Sequence, residues 1–214
     1  MHLPKAIAAL PKWTDDEQSR YSLHCVRLKR AGGTVFAEAT DGRRLCRLTW
    51  PCDGEPKEYG LPAKTLSKNL REVGVTPDGY SAGLNGTVTL YGKNAMTTVP
   101  HEELERWPKT DDVLRPAAGW GKWWPVPTKA LRDEARAALK TQKPDLSGQV
   151  GMDLEFCGVK VRLQALYVRD MCETAIQCGF DQVHATATDK QSAVHFRAEC
   201  DVKFESVIMP LAAD

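Results

Sequence analysis

The hydrophobic and polar positions of this 214-residue sequence follow two periods, one typical of strands and one typical of helices. Alternation with a period of two predicts three antiparallel strands near the start of the chain, at 21–28, 34–39 and 43–50. The last two flank Asp41-Gly42, where Gly42 can adopt the positive φ that a tight turn requires. We expect Asp41 to bond to the backbone two residues further on.

An apolar face with a spacing of three and four residues predicts the helix Pro62–Val73, because Leu66, Leu70 and Val73 lie on one side of it. The same reasoning predicts three further helices, at 4–13, about 128–141 and about 166–178. Thr128 is expected to cap the third of these. The remaining alternating segments predict strands at 80–84, 87–91, 95–99, 150–156, 159–163, 182–188, 193–198 and 202–209. The first two of these flank Asn85-Gly86, a strong hairpin signal.

The order of these elements indicates two similar domains. The chain reads helix, strands, helix, strands, and then repeats that order, with hairpins rather than long crossovers between strands. The fold class is therefore expected to be α+β, with two helices in each domain packed on antiparallel sheets. The polar, proline-rich stretch 101–121 is the expected junction, which gives domains 1–116 and 117–214.

Composition gives no global sign of a partner, since the formal net charge is +1 and hydrophobic residues make up 42%. The seven cysteines are dispersed without any C-x-x-C, and neither they nor the five histidines have the short spacings of a zinc site. We therefore expect no metal site and no cofactor. Without a signal peptide or a membrane-length apolar run, the sequence favours a cytoplasmic protein.

One motif raises an enzymatic alternative. Gly79-Tyr80-Ser81-Ala82-Gly83 matches G-x-S-x-G, the nucleophile elbow of serine hydrolases. An elbow needs a strand, a sharp turn and then a helix, whereas here the motif follows a helix and leads into a hairpin. Ser81 is therefore a remote nucleophile candidate, and binding is the favoured chemistry.

Two predicted helices carry basic residues along one side, and such surfaces attract phosphate backbones without sequence preference. A solubilising surface is the simpler explanation for one such helix, whereas for two at equivalent points of a repeat a solubilising surface and a binding surface are equally good explanations. The expected DNA-facing residues are Lys64, Lys68, Arg71, Lys129, Arg132, Arg136 and Lys140.

Several segments resemble the bacterial DNA polymerase sliding clamp, the β-subunit family, in order and spacing. Ala39-Thr40-Asp41-Gly42-Arg43-Arg44-Leu45 is similar to the family's A-T-D-G-H-R-L, and Val207-Ile208-Met209-Pro210-Leu211 is similar to its V-V-M-P-M. The other similar segments are Arg20-Tyr21-Ser22-Leu23, Leu61-Pro62-Ala63-Lys64, Arg106-Trp107-Pro108 with Val113-Leu114, Tyr167-Val168-Arg169-Asp170 and Thr188-Asp189-Lys190-Gln191-Ser192-Ala193-Val194.

The resemblance implies a non-enzymatic processivity factor shortened to the family's second and third domains. Such clamps are rings of six similar domains that encircle duplex DNA, with helices lining the hole, and tether DNA polymerase. With two domains per chain, a ring implies a homotrimer. The implied partners are double-stranded DNA, a polymerase and a clamp loader, with no membrane, in the cytoplasm at the nucleoid.

The resemblance also implies a groove between the two domains that binds short peptide motifs of partners. Its walls would be Leu23, Thr40, Gly42, Arg43, Arg44, Leu45, Pro108, Val113, Val207, Ile208, Met209, Pro210 and Leu211. Leu45 and Met209 are expected around one pocket. Asp111 and Asp112 replace basic residues of the family near this groove, which suggests partner motifs of different charge. The alternative function is a clamp-like peptide-binding adaptor or decoy that closes no ring.

Overall fold

The computed structural model describes residues 1–15, 21–84, 87–104, 106–115, 122–156 and 158–211, which form two compact units. Unit 1 comprises Met1–Gly42, Cys46–Pro108 and Cys200–Lys203, and unit 2 comprises Arg43–Leu45, Lys109–Glu199 and Phe204–Asp214. The predicted boundary between residues 116 and 117 lies outside the described residues, as does the Asn85-Gly86 turn.

The described residues of unit 1 form one 3-10 helix, one α-helix and eight strands, when each strand is assigned to the unit that holds most of it. The 3-10 helix is Lys5–Trp13, and α1 is Ala63–Val73. The strands are β1 (His2–Leu3), β2 (Cys25–Ala31), β3 (Thr34–Thr40), β4 (Arg44–Pro51), β5 (Lys57–Pro62), β6 (Tyr80–Leu84), β7 (Val88–Tyr91) and β8 (Met96–Val99).

The two helices of unit 1 pack on each other through the apolar faces that the sequence predicts. Leu10 and Trp13 of the 3-10 helix are fully buried, as are Leu66 and Val73 of α1. Removing a side chain as large as Trp13 from a packed core costs about 3–5 kcal/mol in such proteins. The buried faces therefore leave the charged residues of α1 on the opposite, exposed side.

The strands of unit 1 run in the orders β5-β2-β3-β4 and β1-β6-β7-β8. β2 pairs antiparallel with both β3 and β5, and β7 pairs antiparallel with both β6 and β8. The sequence missed β1 and β5, since β1 has two residues and β5 begins with the polar pair Lys57-Glu58. The predicted strand 21–28 begins instead at Cys25, because residues 21–24 form a turn in which Cys25 N donates to Ser22 O.

Over its described part, unit 2 forms three α-helices and six strands. The helices are α2 (Thr110–Leu114), α3 (Thr128–Thr141) and α4 (Ala165–Gln177). The strands are β9 (Trp124–Pro127), β10 (Gly151–Phe156), β11 (Val159–Gln164), β12 (Gln182–Thr186), β13 (Val194–Glu199) and β14 (Lys203–Ile208). They run in the orders β14-β13-β12-β9 and β10-β11.

Helices α3 and α4 pack on each other, with Leu131, Ala135 and Met171 in the unit 2 core. The predicted cap on α3 is wrong, because Pro127 occupies the cap position and the Thr128 hydroxyl donates to Phe180 O at 2.7 Å. Gly179 lies two residues after the end of α4 and has a φ of 90°, a conformation that glycine commonly adopts after a helix.

The observed architecture in both units is α+β, with a pair of longer helices and antiparallel strands, as the sequence predicts. Within the described residues, none of the helices is both long enough and apolar enough to cross a membrane.

Candidate nucleic-acid and partner surfaces

Helix α1 presents its predicted basic residues to solvent in unit 1. Lys64 and Arg71 line a shallow groove of about 390 Å³ together with Lys12 from the neighbouring 3-10 helix. Lys68 is exposed, and its Nζ lies 3.8 Å from a carboxylate oxygen of Glu72 one turn away. Three cations along one groove between two helices form a surface of the kind that attracts phosphate groups.

Helix α3 presents its basic residues differently, because three of the four have a carboxylate partner in unit 2. Lys129 Nζ lies 2.7 Å from an Asp181 carboxylate oxygen. A guanidinium nitrogen of Arg132 lies 2.8 Å from Asp133, and one of Arg136 lies 2.8 Å from Glu173. Lys140 is exposed near the end of the helix. Exposed ion pairs are weak and exchange readily, but they lower the positive potential over this face.

Arg44, predicted as a wall of the peptide groove, is buried in unit 2 rather than presented to solvent. Its Nη1 donates to Asp170 Oδ2 at 2.8 Å, and its guanidinium lies 4.2 Å from the centre of the Tyr167 ring. Only 6% of the Arg44 side chain is exposed. The Arg44 guanidinium is therefore occupied by Asp170 and Tyr167, and it is the neighbouring Arg43 that is exposed to solvent.

The turn between β3 and β4 is held by Thr40 and Gly42 in unit 1. The backbone N of Gly42 donates to Thr40 Oγ1 at 3.1 Å, and the bond expected from Asp41 stays a prediction. Gly42 has a φ of +85°, and a Cβ there would contact Leu23 Cδ1 at 3.9 Å. Leu23, Thr40 and Gly42 thus lie together at this turn of unit 1.

The segment Val207–Leu211 is tied by its backbone at two points of unit 2. Met209 N donates to Arg43 O at 2.9 Å, and Leu211 N donates to Arg162 O at 2.8 Å. Val207 and Ile208 are buried in the core, whereas 46% of Met209 is exposed. The side chain of Met209 is therefore available to a partner, whereas Val207 and Ile208 can only pack in the core beneath it.

An open groove of about 750 Å³ lies beside this segment in unit 2 and includes two of the predicted wall residues. Its lining residues are Asp153, Lys160, Val161, Arg162, Lys190, Gln191, Pro210 and Leu211. The lining combines apolar surface with three cations and one carboxylate. Such a groove suits an extended peptide that carries both aliphatic and acidic side chains.

The Thr188–Val194 segment forms one rim of that groove through a tight turn. Asp189 accepts hydrogen bonds from the Ser192 hydroxyl and from the backbone nitrogens of Gln191 and Ser192. The Ser192 hydroxyl bond and these backbone bonds hold the pKa of the Asp189 carboxyl below its ordinary value. The turn is thereby fixed with Lys190 and Gln191 at its tip.

Three predicted wall residues remain to be placed. Leu45 is buried in unit 2, two residues from the backbone bond between Arg43 and Met209. Val113 is 46% exposed on α2 of unit 2, and Pro108 is half-buried in unit 1. A shared pocket of Leu45 and Met209, and a groove formed jointly by all thirteen residues, stay predictions.

Ser81 does not have the geometry of a nucleophile elbow. It lies inside strand β6 and pairs with His2 of β1 on one side and with Tyr91 of β7 on the other. A strand interior lacks the sharp strand-to-helix turn that projects a nucleophilic serine. The G-x-S-x-G motif is therefore part of a sheet.

One cluster in unit 1 was missed by the sequence, which predicted no metal site. His24 Nε2 lies 3.0 Å from Glu102 Oε2, and Cys25 Sγ lies 3.8 Å from the same oxygen. Burial, and then the charge and hydrogen bond of Glu102, raise the pKa of the Cys25 thiol to about 12. The thiol is a poor nucleophile in this state, because nucleophilic attack needs the thiolate. Its partner Glu102 is 77 residues away, so adjacency of His24 and Cys25 was the only sequence signal.

Solved structures of bacterial sliding clamps resemble this fold over nearly the whole chain. The Helicobacter pylori β clamp bound to a DNA ligase peptide matches with a TM-score of 0.75 at 11% identity, covering 98% of this chain and 63% of its own. The Pseudomonas aeruginosa DNA polymerase III β subunit matches with a TM-score of 0.74 at 17% identity, covering 97% and 63%. A putative β subunit from Eubacterium rectale matches with a TM-score of 0.76 at 13% identity, covering 98% and 63%.

The chain thus has the bacterial sliding-clamp fold, and the resemblance predicted from its motifs is confirmed at that level. It spans about 63% of the length of these clamps. No protein-family model and no curated protein matches the sequence.

Proposed function

We propose that this chain, which has the sliding-clamp fold, is a non-enzymatic DNA sliding clamp that tethers a polymerase and other partners to duplex DNA. The observation that carries the proposal is the likeness to solved β clamps over 97–98% of the chain. The basic groove of unit 1 and the basic face of α3 support it, because both put cations on helices rather than on sheets. Their interaction with DNA is electrostatic and independent of sequence.

Ring closure in this proposal needs three copies, each supplying two of six domains. β8 in unit 1 and β10 in unit 2 each pair with one neighbouring strand within the described part of the chain. Edge strands offer unpaired backbone groups to another chain, and head-to-tail pairing closes a ring when the rotation per subunit is right. Met96 on β8 supports an interface there, because 70% of this large apolar side chain is exposed.

The proposed partners dock as short peptides along Met209, Pro210 and Leu211. The solved Helicobacter pylori clamp that this chain resembles is bound to a DNA ligase peptide. The groove beside Pro210 and Leu211 carries Lys160, Arg162 and Lys190 on its walls. A partner peptide with an acidic residue beside its aliphatic anchors is therefore favoured. The proposed location is the cytoplasm, with the DNA.

Light scattering of the purified chain tests the ring. Three chains of 23.7 kDa give about 71 kDa, which is the expected mass. Met96→Asp should reduce that mass to one chain without loss of folding, because it buries a charge at the proposed joint. A wild-type chain that stays monomeric at tens of micromolar would contradict the trimer.

One observation favours the alternative, a clamp-like peptide-binding adaptor that closes no ring. Three of the four cations on α3 are paired with carboxylates, which weakens the positive face expected toward DNA. Retention on circular DNA separates the two functions. A loaded clamp stays on a closed circle and slides off after the circle is cut, whereas an adaptor is retained on neither.

A further inference from the structure

His24, Cys25 and Glu102 bring three different metal-binding side chains to one corner of unit 1. One ligand atom from each residue lies within 4.8 Å of the other two, and Glu102 Oε2 lies nearest to both partners. We propose that these three residues form a binding site for a zinc-class divalent cation. The proposal goes beyond the sliding-clamp function and does not depend on it.

The separations between the ligand atoms fit a tetrahedral ion. Zinc bonds of about 2.0–2.3 Å place neighbouring tetrahedral ligands roughly 3.3–3.6 Å apart. The observed separations are 3.0 Å from His24 Nε2 to Glu102 Oε2 and 3.8 Å from Cys25 Sγ to that oxygen. Side-chain shifts of a few tenths of an ångström bring these two pairs to the ideal separation. The imidazole and the thiol lie within 4.8 Å of each other and must close on the cation between them.

The backbone holds the two ligand-bearing segments in place before any ion binds. Gly60 and Glu102 exchange two backbone hydrogen bonds, of 3.1 and 2.8 Å, and Ala63 N donates to His24 O at 3.0 Å. Cys25 opens strand β2 opposite Pro62 of β5. The three ligands therefore come from two segments, 24–25 and the one around Glu102, which are both hydrogen-bonded to the segment 60–63, and this lowers the entropy cost of assembling the site.

Gly60 allows the backbone around Glu102 to approach β5 closely. A Cβ at Gly60 would lie 2.5 Å from Leu104 Cδ2 and 3.0 Å from Glu102 O. Any larger residue would push the segment around Glu102 away from β5. The close approach that glycine permits is what brings the Glu102 carboxylate to the imidazole and the thiol.

The identity of the ligands selects the class of cation. A thiolate and an imidazole favour zinc and its neighbours over magnesium and calcium, which prefer oxygen ligands. Cys25 is fully buried, whereas 32% of the His24 side chain and 50% of the Glu102 side chain are exposed. The ion therefore has a path from solvent and a fourth coordination position on the open side, which a water molecule can occupy.

Titration of the full chain with Co²⁺, followed by absorption spectroscopy, tests the site. We expect one ion per chain and a thiolate-to-cobalt charge-transfer band, with Zn²⁺ displacing the cobalt. Cys25→Ser should abolish the band, and Glu102→Gln should weaken binding at least tenfold. Cys52→Ser is the matched control in the same unit, because Cys52 is only half-buried and should leave the band unchanged.

Two results would overturn the proposal. One is the absence of stoichiometric binding by the folded wild-type chain, and the other is an unchanged charge-transfer band in Cys25→Ser. Should Cys25→Ser fail to fold, X-ray absorption at the zinc edge of the loaded wild-type chain decides the matter. One sulfur among nitrogen and oxygen ligands supports the site, and a shell without sulfur refutes it.

Discussion

Arg44 and Asp170 form a buried ion pair in unit 2, with Arg44 Nη1 lying 2.8 Å from Asp170 Oδ2. The two residues are 126 positions apart in the sequence, and their side chains are 6% and 4% exposed. Arg44 opens strand β4 after the Asp41-Gly42 turn, and Asp170 lies on α4. The pair therefore joins two of the segments that resemble sliding-clamp motifs, 39–45 and 167–170. This contact explains the arginine at position 44 and the aspartate at position 170.

We expect Asp170→Asn to lower the free energy of unfolding by about 3–5 kcal/mol, because it leaves the Arg44 guanidinium buried without its carboxylate. Asp153→Asn is the control, since Asp153 pairs with Arg162 at 76% and 50% exposure. That exposed pair should cost less than about 1 kcal/mol. Urea denaturation of the three proteins gives the values, and equal losses in both variants would contradict a special role of the buried pair.

Stability should fall on acidification through His195, because burial lowers the pKa of this side chain from 6.5 to about 4. Between these values the unfolded chain binds the proton and the folded chain does not. The stability that neutral His195 provides is fully present above about pH 7 and is lost as the pH falls toward 4. At pH 5 the loss in the free energy of unfolding is up to about 2 kcal/mol.

His195→Gln should reduce the difference between the urea midpoints at about pH 7.5 and about pH 5, because glutamine does not titrate. The comparison isolates His195 from the carboxylates, which titrate in both proteins. An identical pH dependence in the variant would show that His195 is protonated equally in the folded and unfolded states.

The two basic helices should contribute unequally to DNA binding. Arg71→Ala removes one cation of the unit 1 groove, and Arg136→Ala removes one that contacts the carboxylate of Glu173. The slope of log affinity against log salt should fall by about one for the first variant and by clearly less for the second. Fluorescence anisotropy with a labelled duplex measures both slopes, and equal changes would refute the difference between the helices.

Met209→Asp should abolish binding of a clamp-binding peptide and leave the protein folded. Met209 is 46% exposed, so a charge there is tolerated in the free protein but is unfavourable under an apolar anchor. Leu146→Asp is the control in the same unit, because Leu146 is fully exposed and lies outside the predicted groove. Calorimetric titration gives both affinities, and an unchanged affinity for Met209→Asp would refute the assignment of the groove.

Local patterns predicted the regular elements well, because helix and strand periods depend on neighbouring residues. The helix 62–73 is observed as Ala63–Val73, and the hairpin around residue 158 is observed as β10 and β11. Short polar elements such as β5 were missed, since they form through pairing with β2 rather than through their own composition.

The candidate site was predicted only in part. The motif spacing placed the Asp41-Gly42 turn and the Met209 segment in one groove, which stays a prediction. Within unit 2, Met209 N donates to Arg43 O. The sequence did not distinguish exposed Arg43 from buried Arg44, because side-chain burial depends on the partner Asp170. It also gave the four cations of α3 without the carboxylates that three of them contact, and two of these carboxylates, Asp181 and Glu173, lie far along the chain.

The sequence by itself determined the α+β class, the repeated order of elements and the likeness to sliding clamps, because these depend on local periodicity and on the order of motifs. Only the tertiary structure decided which charged groups are neutralised, which wall residues are accessible and that His24, Cys25 and Glu102 meet. The reason is physical: a side chain's charge and reactivity are set by neighbours within a few ångströms. For Arg44 and Cys25, those neighbours are 126 and 77 residues away.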